Sequence, residues 1–174
     1  MNSFYDKCSL YLPRTGISIW AWFVLGVSGC SDYSITVNDN LLYTPPSIFT
    51  DFKLPDRSLQ QCIDDTINDE YLTSAEQLSR LYCTKRNISS LDQMEIFPNL
   101  KQVGLADNNL TDISPLAQLH HLEQINLKGN NIKDATPLKK ISTLQFVDLS
   151  DNPNLNCGSV PADQRIKIIL PEHC

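Results

Sequence analysis

The sequence predicts an α/β solenoid, with short parallel strands on a concave side, 3-10 or irregular turns on a convex side, and a helical cap at the N-terminal end. Three observations predict it. Apolar residues recur every 22 positions through the second half of the chain, a short segment with helical apolar spacing stands just upstream of them, and four cysteines lie in the first repeat and the segments on either side of the repeats.

The bulk properties leave room for one modest domain. The chain has 174 residues, of which 41% are hydrophobic and 20% charged, an ordinary globular balance. The net charge of -6 is wrong for a surface that must neutralise phosphates, so nucleic acid is set aside as a partner.

The first thirty residues read as an address. Lys7 and Arg14 against Asp6 form a positive n-region, and an uncharged, predominantly apolar run follows from Ile17 to Val27. Eleven residues are far fewer than the roughly 20 a membrane-spanning helix needs, so the run is expected to be cleaved. The sequence Val27-Ser28-Gly29-Cys30 resembles the lipobox of bacterial lipoproteins. That resemblance implies a signal peptide over 1–29 and lipidation of Cys30, which becomes the first mature residue, held by several acyl chains in a stable membrane anchor. Ser31, in place of an aspartate, points to the outer membrane, and loss of residues 1–29 shifts the net charge to -7.

Residues 30–53 are then the lipidated N-terminus and a tether. The span is polar and turn-rich, with Asn38-Asp39-Asn40 and Pro45-Pro46, and reads as mostly extended. Its aromatics Tyr33, Tyr43, Phe49 and Phe52 are candidates to dock on the solenoid. Residues 54–77 form the expected N-terminal cap, where Leu59, Cys62, Ile63 and Ile67 fall at helical spacing behind Asp56 or Ser58 as N-cap. Thr73 and Glu76 have the spacing of a capping box.

Residues 78–156 carry about four repeats. Leu78, Leu100, Leu122 and Leu144 begin successive units; Leu81, Val103, Ile125 and Val147 follow three places on, then Cys83, Leu105, Leu127 and Leu149, then Arg86, Asn108, Asn130 and Asn152. Further columns run Ile88, Leu110, Ile132; Leu91, Ile113, Ala135; Met94, Leu116, Leu138; and Phe97, Leu119, Ile141. The row L-x-x-L-x-L-x-x-N resembles the leucine-rich-repeat family. The 22-residue period with Asp-Ile-Ser-Pro-Leu at 112–116 and Asp-Ala-Thr-Pro-Leu at 134–138 is similar to the internalin-like bacterial class.

The asparagine column is expected to satisfy backbone groups where each strand turns, and Pro115 and Pro137 suit convex turns where a missing N–H costs little. Arg86 departs from the asparagine column, with Asn87 one place on as a substitute.

With Cys8 in the signal peptide and Cys30 lipidated, Cys62, Cys83, Cys157 and Cys174 remain, an even number for an oxidising compartment. Three pairings are possible. Cys62 with Cys83 and Cys157 with Cys174 is preferred, because each joins a cap to the repeat beside it, and each closed loop is worth roughly 3 kcal/mol. Residues 157–174 are the C-terminal cap, with the stretch from Pro161 to Pro171 expected to fold back over the last coil through Ile166, Ile168 and Ile169.

No metal site or cofactor is expected, because the chain has no C-x-x-C spacing and the adjacent His120 and His121 point apart. No catalytic set assembles from the sequence, so neither an enzyme nor a small-molecule substrate is predicted. The resemblance implies binding of a protein by the concave face, with Arg80, Tyr82, Gln102, Gln124, Asn126, Lys128, Phe146 and Asp148 as the candidates. The alternative is an accessory lipoprotein of an envelope or secretion assembly, in which anchor and tether dominate.

Overall fold

A computed structural model describes residues 8–9, 33–37, 40–43 and 48–174. The expected lipidation site, Cys30, and nearly all of the expected signal peptide lie outside them. The chain divides into two compact units, Met1–Ser47 and Ile48–Cys174.

In the first unit, β1 (Cys8–Ser9), β2 (Tyr33–Val37) and β3 (Asn40–Tyr43) form a sheet in that order, β1 and β2 parallel, β2 and β3 antiparallel. The segment expected to be an extended tether therefore contains paired strands. Its polar turn signals fall between two runs rich in β-branched, aromatic and leucine residues, and it is those runs that pair.

The second unit is the solenoid, and it begins at Ile48, earlier than the expected cap boundary. The reason is aromatic packing. Phe49 stacks on Phe52 with centroids 5.2 Å apart, and Phe52 meets buried Phe97 edge to face at 5.3 Å.

Helix α1 (Arg57–Glu70) follows, burying Leu59, Cys62, Ile63 and Ile67 on one face. Asp56 is its N-cap: Oδ1 accepts from the N–H groups of Ser58 and Leu59 at 2.9 and 3.0 Å. The other oxygen accepts from Ser89 N–H, Ser89 hydroxyl and Ser90 N–H at 2.8, 3.0 and 3.1 Å, so one carboxylate starts the helix and ties it to the first coil. Burial pushes this carboxyl up, but the hydrogen bonds from Ser89, Leu59 and Ser90 outweigh it and hold it below its usual range. The helix ends at Tyr71 in the left-handed conformation.

The expected capping box does not form. The 3-10 turn at Ala75–Gln77 starts behind Ser74, leaving Thr73 one place too early, and the Thr73 N–H and hydroxyl both reach Gln77 Oε1 instead.

The repeats form β4 (Arg80–Tyr82), β5 (Gln102–Gly104), β6 (Gln124–Asn126) and β7 (Phe146–Asp148), parallel and in register. A fifth strand, β8 (Lys167–Ile169), continues the same sheet by pairing in parallel with β7. The last segment thus covers the final coil as expected, with Ile166 and Ile168 packed against the core, and does so by adding a strand. Ile168 takes the inward position next to Val147, while Ile169 and Leu170 stay 40% and 38% exposed.

On the convex side are short 3-10 turns, among them Met94–Ile96, Ser114–Gln118 and Thr136–Lys140. Pro115 and Pro137 stand in the first turn of the latter two, and Asp112 and Asp134 accept from the N–H of Ser114 and Thr136 at 2.8 Å. Every residue of the four convex columns is buried.

The buried asparagines bind neighbouring coils together. Asn130 Nδ2 donates to Leu127 O in its own coil and to Leu105 O one coil back, both at 2.9 Å, while Oδ1 accepts from Leu110 N–H at 3.0 Å. Asn108 and Asn152 repeat the pattern. Each reaches backward, which explains why the first coil needs none: α1 and not another coil precedes it. Asn87 does not take the role; it is exposed with φ 59°, and Arg86 turns outward to Asp65 at 3.1 Å.

Candidate functional site

The parallel register stacks the outward residues of the strands into rows. One row is Arg80, Gln102, Gln124, Phe146 and Lys167; the next is Tyr82, Gly104, Asn126, Asp148 and Ile169. Lys128 lies just past β6 and is exposed. All eight candidates from the sequence therefore share one side of the sheet or its exit edge, but they are not equivalent.

Tyr82 is 62% exposed, the most open large apolar side chain of the solenoid strands β4 to β8. Its ring crosses to the neighbouring strand, where Gly104 leaves room, and its hydroxyl donates to Gln102 Oε1 at 2.8 Å. Phe146 is half-buried on the far side. Between these rings lies a depression of about 140 Å³, lined also by Thr84, Gln102, Gly104, Gln124 and Asn126 over the buried Val103 and Ile125.

Arg80, Lys128 and Asp148 do not line that depression. Lys128 pairs with Asp151 at 3.3 Å, and Asp148 Oδ1 accepts from Ser150 N–H and hydroxyl at 2.9 and 2.6 Å. Asn126 Oδ1 likewise accepts from Lys128 N–H at 3.0 Å, which turns its amide nitrogen away from that turn.

Sequence reasoning missed Lys167 and Ile169, the β8 members of the two rows. The signal was present: Phe146 to Lys167 is 21 residues, one short of the period, as are Val147 to Ile168 and Asp148 to Ile169.

Disulfides join Cys62 to Cys83 and Cys157 to Cys174. The first is buried where α1 meets the first coil, and the second is exposed. His173 stands beside Cys157 and Cys174, but sulfurs joined to each other are not thiolates and offer no metal-ligand pair. His120 and His121 are both exposed, and the His120 carbonyl accepts from the Thr143 hydroxyl at 3.0 Å. No helix among the described residues is long and apolar enough to cross a membrane.

Comparison with known proteins agrees with this geometry. The family described as Leucine Rich repeats (2 copies) matches residues 98–140, the stretch from β5 to the second proline-bearing turn. The crystal structure of an internalin, InlF, from Listeria monocytogenes strain 4b F2365 superposes with a TM-score of 0.50 at 20% identity, covering 67% of this chain and 43% of that one.

The fold is that of a leucine-rich-repeat solenoid. Internalin C2 from the same strain gives a TM-score of 0.46 at 17% identity, over 67% of this chain and 64% of that one. The chain thus spans less than half of InlF and less than two thirds of internalin C2. No curated protein matches the sequence. A solenoid of leucine-rich repeats suggests a protein-binding module, since a concave parallel sheet offers a continuous surface of alternate side chains.

Proposed function

We infer that this chain is an envelope-anchored lipoprotein that holds a protein partner on the concave face of its solenoid, and that it acts by binding and not by catalysis. The observation that carries the reading is the depression between Tyr82 and Phe146. Exposed aromatic side chains around a small apolar hollow are the usual anchors of protein interfaces. The anchor rests on Cys30 in its lipobox-like setting, and outer-membrane placement on Ser31.

The second reading is an accessory component of an envelope or secretion assembly. It is favoured by β2 and β3, which give the span between Cys30 and the solenoid a structure of its own. Two variants separate the readings in a partner pulldown from native envelopes: Tyr82→Ala with Phe146→Ala, and deletion of residues 31–47. The deletion spares Phe49 and Phe52, which the solenoid needs. The concave-face reading expects loss with the double substitution and retention with the deletion. The opposite result overturns it in favour of the second.

A further inference from the structure

Over residues 48–174 the chain carries twelve Lys and Arg against seventeen Asp and Glu. The concave face reverses this balance, with Arg80, Lys128 and Lys167 against Asp148 alone. Lys128 is already paired with Asp151, and an Asp148 oxygen is already occupied by Ser150. Arg80 and Lys167 are both exposed, and among the described residues neither is paired with a carboxylate.

These two cations end the same row of the sheet. Four strand spacings of about 4.8 Å separate their backbones by roughly 19 Å, the reach of about six residues of extended chain laid across the strands. Lys167 Nζ also stands 6.0 Å from the Phe146 ring centroid, at the margin of the depression. On the same face, Asn126 Oδ1 already accepts from Lys128 N–H and Gln102 Oε1 from the Tyr82 hydroxyl, while both amide nitrogens remain to donate.

Resting on the concave-face reading, we propose that the partner is a protein presenting an acidic segment with one apolar side chain at its middle. That side chain fills the depression between Tyr82 and Phe146, and carboxylates on either side meet Arg80 and Lys167. The amide donors take the segment's carbonyl oxygens. A hollow of about 140 Å³ suits a single apolar side chain, which a peptide brings and an anionic polysaccharide does not.

The test is selection of phage-displayed random peptides on the full chain with its disulfides intact, followed by affinity measurement on the variants. Enriched peptides are expected to carry acidic residues around an aromatic or branched apolar one. Their affinity should fall at least about tenfold in Arg80→Glu/Lys167→Glu, less in Arg80→Gln/Lys167→Gln, and fall in wild type as salt screens the pairs. All four substitutions are at exposed sites, and circular dichroism checks that the fold is kept.

Neutral or basic peptides that still lose binding in Tyr82→Ala overturn the acidic partner while leaving the concave face as the binding surface. Peptides indifferent to Tyr82→Ala and Phe146→Ala overturn both. Failure to enrich any peptide, with heparin bound instead through Arg80 and Lys167, overturns the protein segment in favour of a polyanion. Failure to enrich any peptide without heparin binding overturns the proposal as well.

Discussion

The ring of Tyr82 lies over Gly104, so close that a β-carbon at position 104 would stand 2.7 Å from Tyr82 Cδ1. The glycine is what lets an aromatic on β4 lie flat across β5 and reach Gln102. Gly104→Ala is therefore expected to lift the ring, break the hydroxyl contact to Gln102 and reduce affinity for a concave-face ligand about as much as Tyr82→Ala does. Adding Gly104→Ala to Tyr82→Ala should then have little further effect. A double-mutant cycle reads this coupling, and simple additivity would refute the geometric account.

Asn130 serves two coils at once, so its loss should be costly. Asn130→Ala leaves the buried Leu110 N–H without its partner, whereas the Leu105 and Leu127 carbonyls each keep one donor, Asn108 Nδ2 and Asn152 Nδ2. A loss of about 2 kcal/mol is expected, since one unsatisfied buried group costs roughly 1–3 kcal/mol. Urea unfolding measures it, with Asn131→Ala, at an exposed position, as the neutral comparison.

Asp56 predicts a pH dependence with a definite sign. Its folded carboxyl is held below the usual value, so the stability it contributes is present above the unfolded-state pKa near 3.9 and is lost as pH falls through the folded one. Asp56→Asn keeps a capping oxygen but no charge. It should be about 1–2 kcal/mol less stable than wild type at pH 7, and the gap should close as the pH falls below about 4. A gap that is constant with pH, in parallel unfolding curves, would remove the carboxylate from the explanation.

The two disulfides should differ in reactivity because they differ in access. Cys62 and Cys83 are 2% and 0% exposed, whereas Cys157 and Cys174 are open to solvent. Graded reductant followed by alkylation and peptide mass mapping should label Cys157 and Cys174 first, with Cys62 and Cys83 protected until the cap opens. Cys62→Ser/Cys83→Ser should lower stability by roughly 3 kcal/mol.

Intact mass of the protein from its native envelope tests the anchor directly. The expected species is residues 30–174 plus acyl chains, gaining four hydrogens on reduction of the two disulfides. An unmodified mass would remove Cys30 from the anchoring role.

Much of the fold was legible because a solenoid writes its geometry into a period. Each inward column, from Leu81 to Val147 or from Phe97 to Ile141, needs an apolar residue at the same place in every coil, so the sequence alone marks the parallel register, the convex turns and the asparagine ladder. The helix was legible for a similar reason, through the spacing of Leu59, Ile63 and Ile67. β8 was not, because its step is one residue short and its apolar run reads equally well as a cover.

Other features existed only in three dimensions. That Asp56 grips Ser89 across 33 residues, that Phe52 belongs to the solenoid through Phe97, and that Tyr82 leans over Gly104 depend on which side chains a coil brings within reach. Periodicity determines which face of a coil is buried, because burial is paid for at every turn alike. Which residues meet across that face, and which of them stay free to bind, depends on single contacts that do not repeat, and only the tertiary structure decided those.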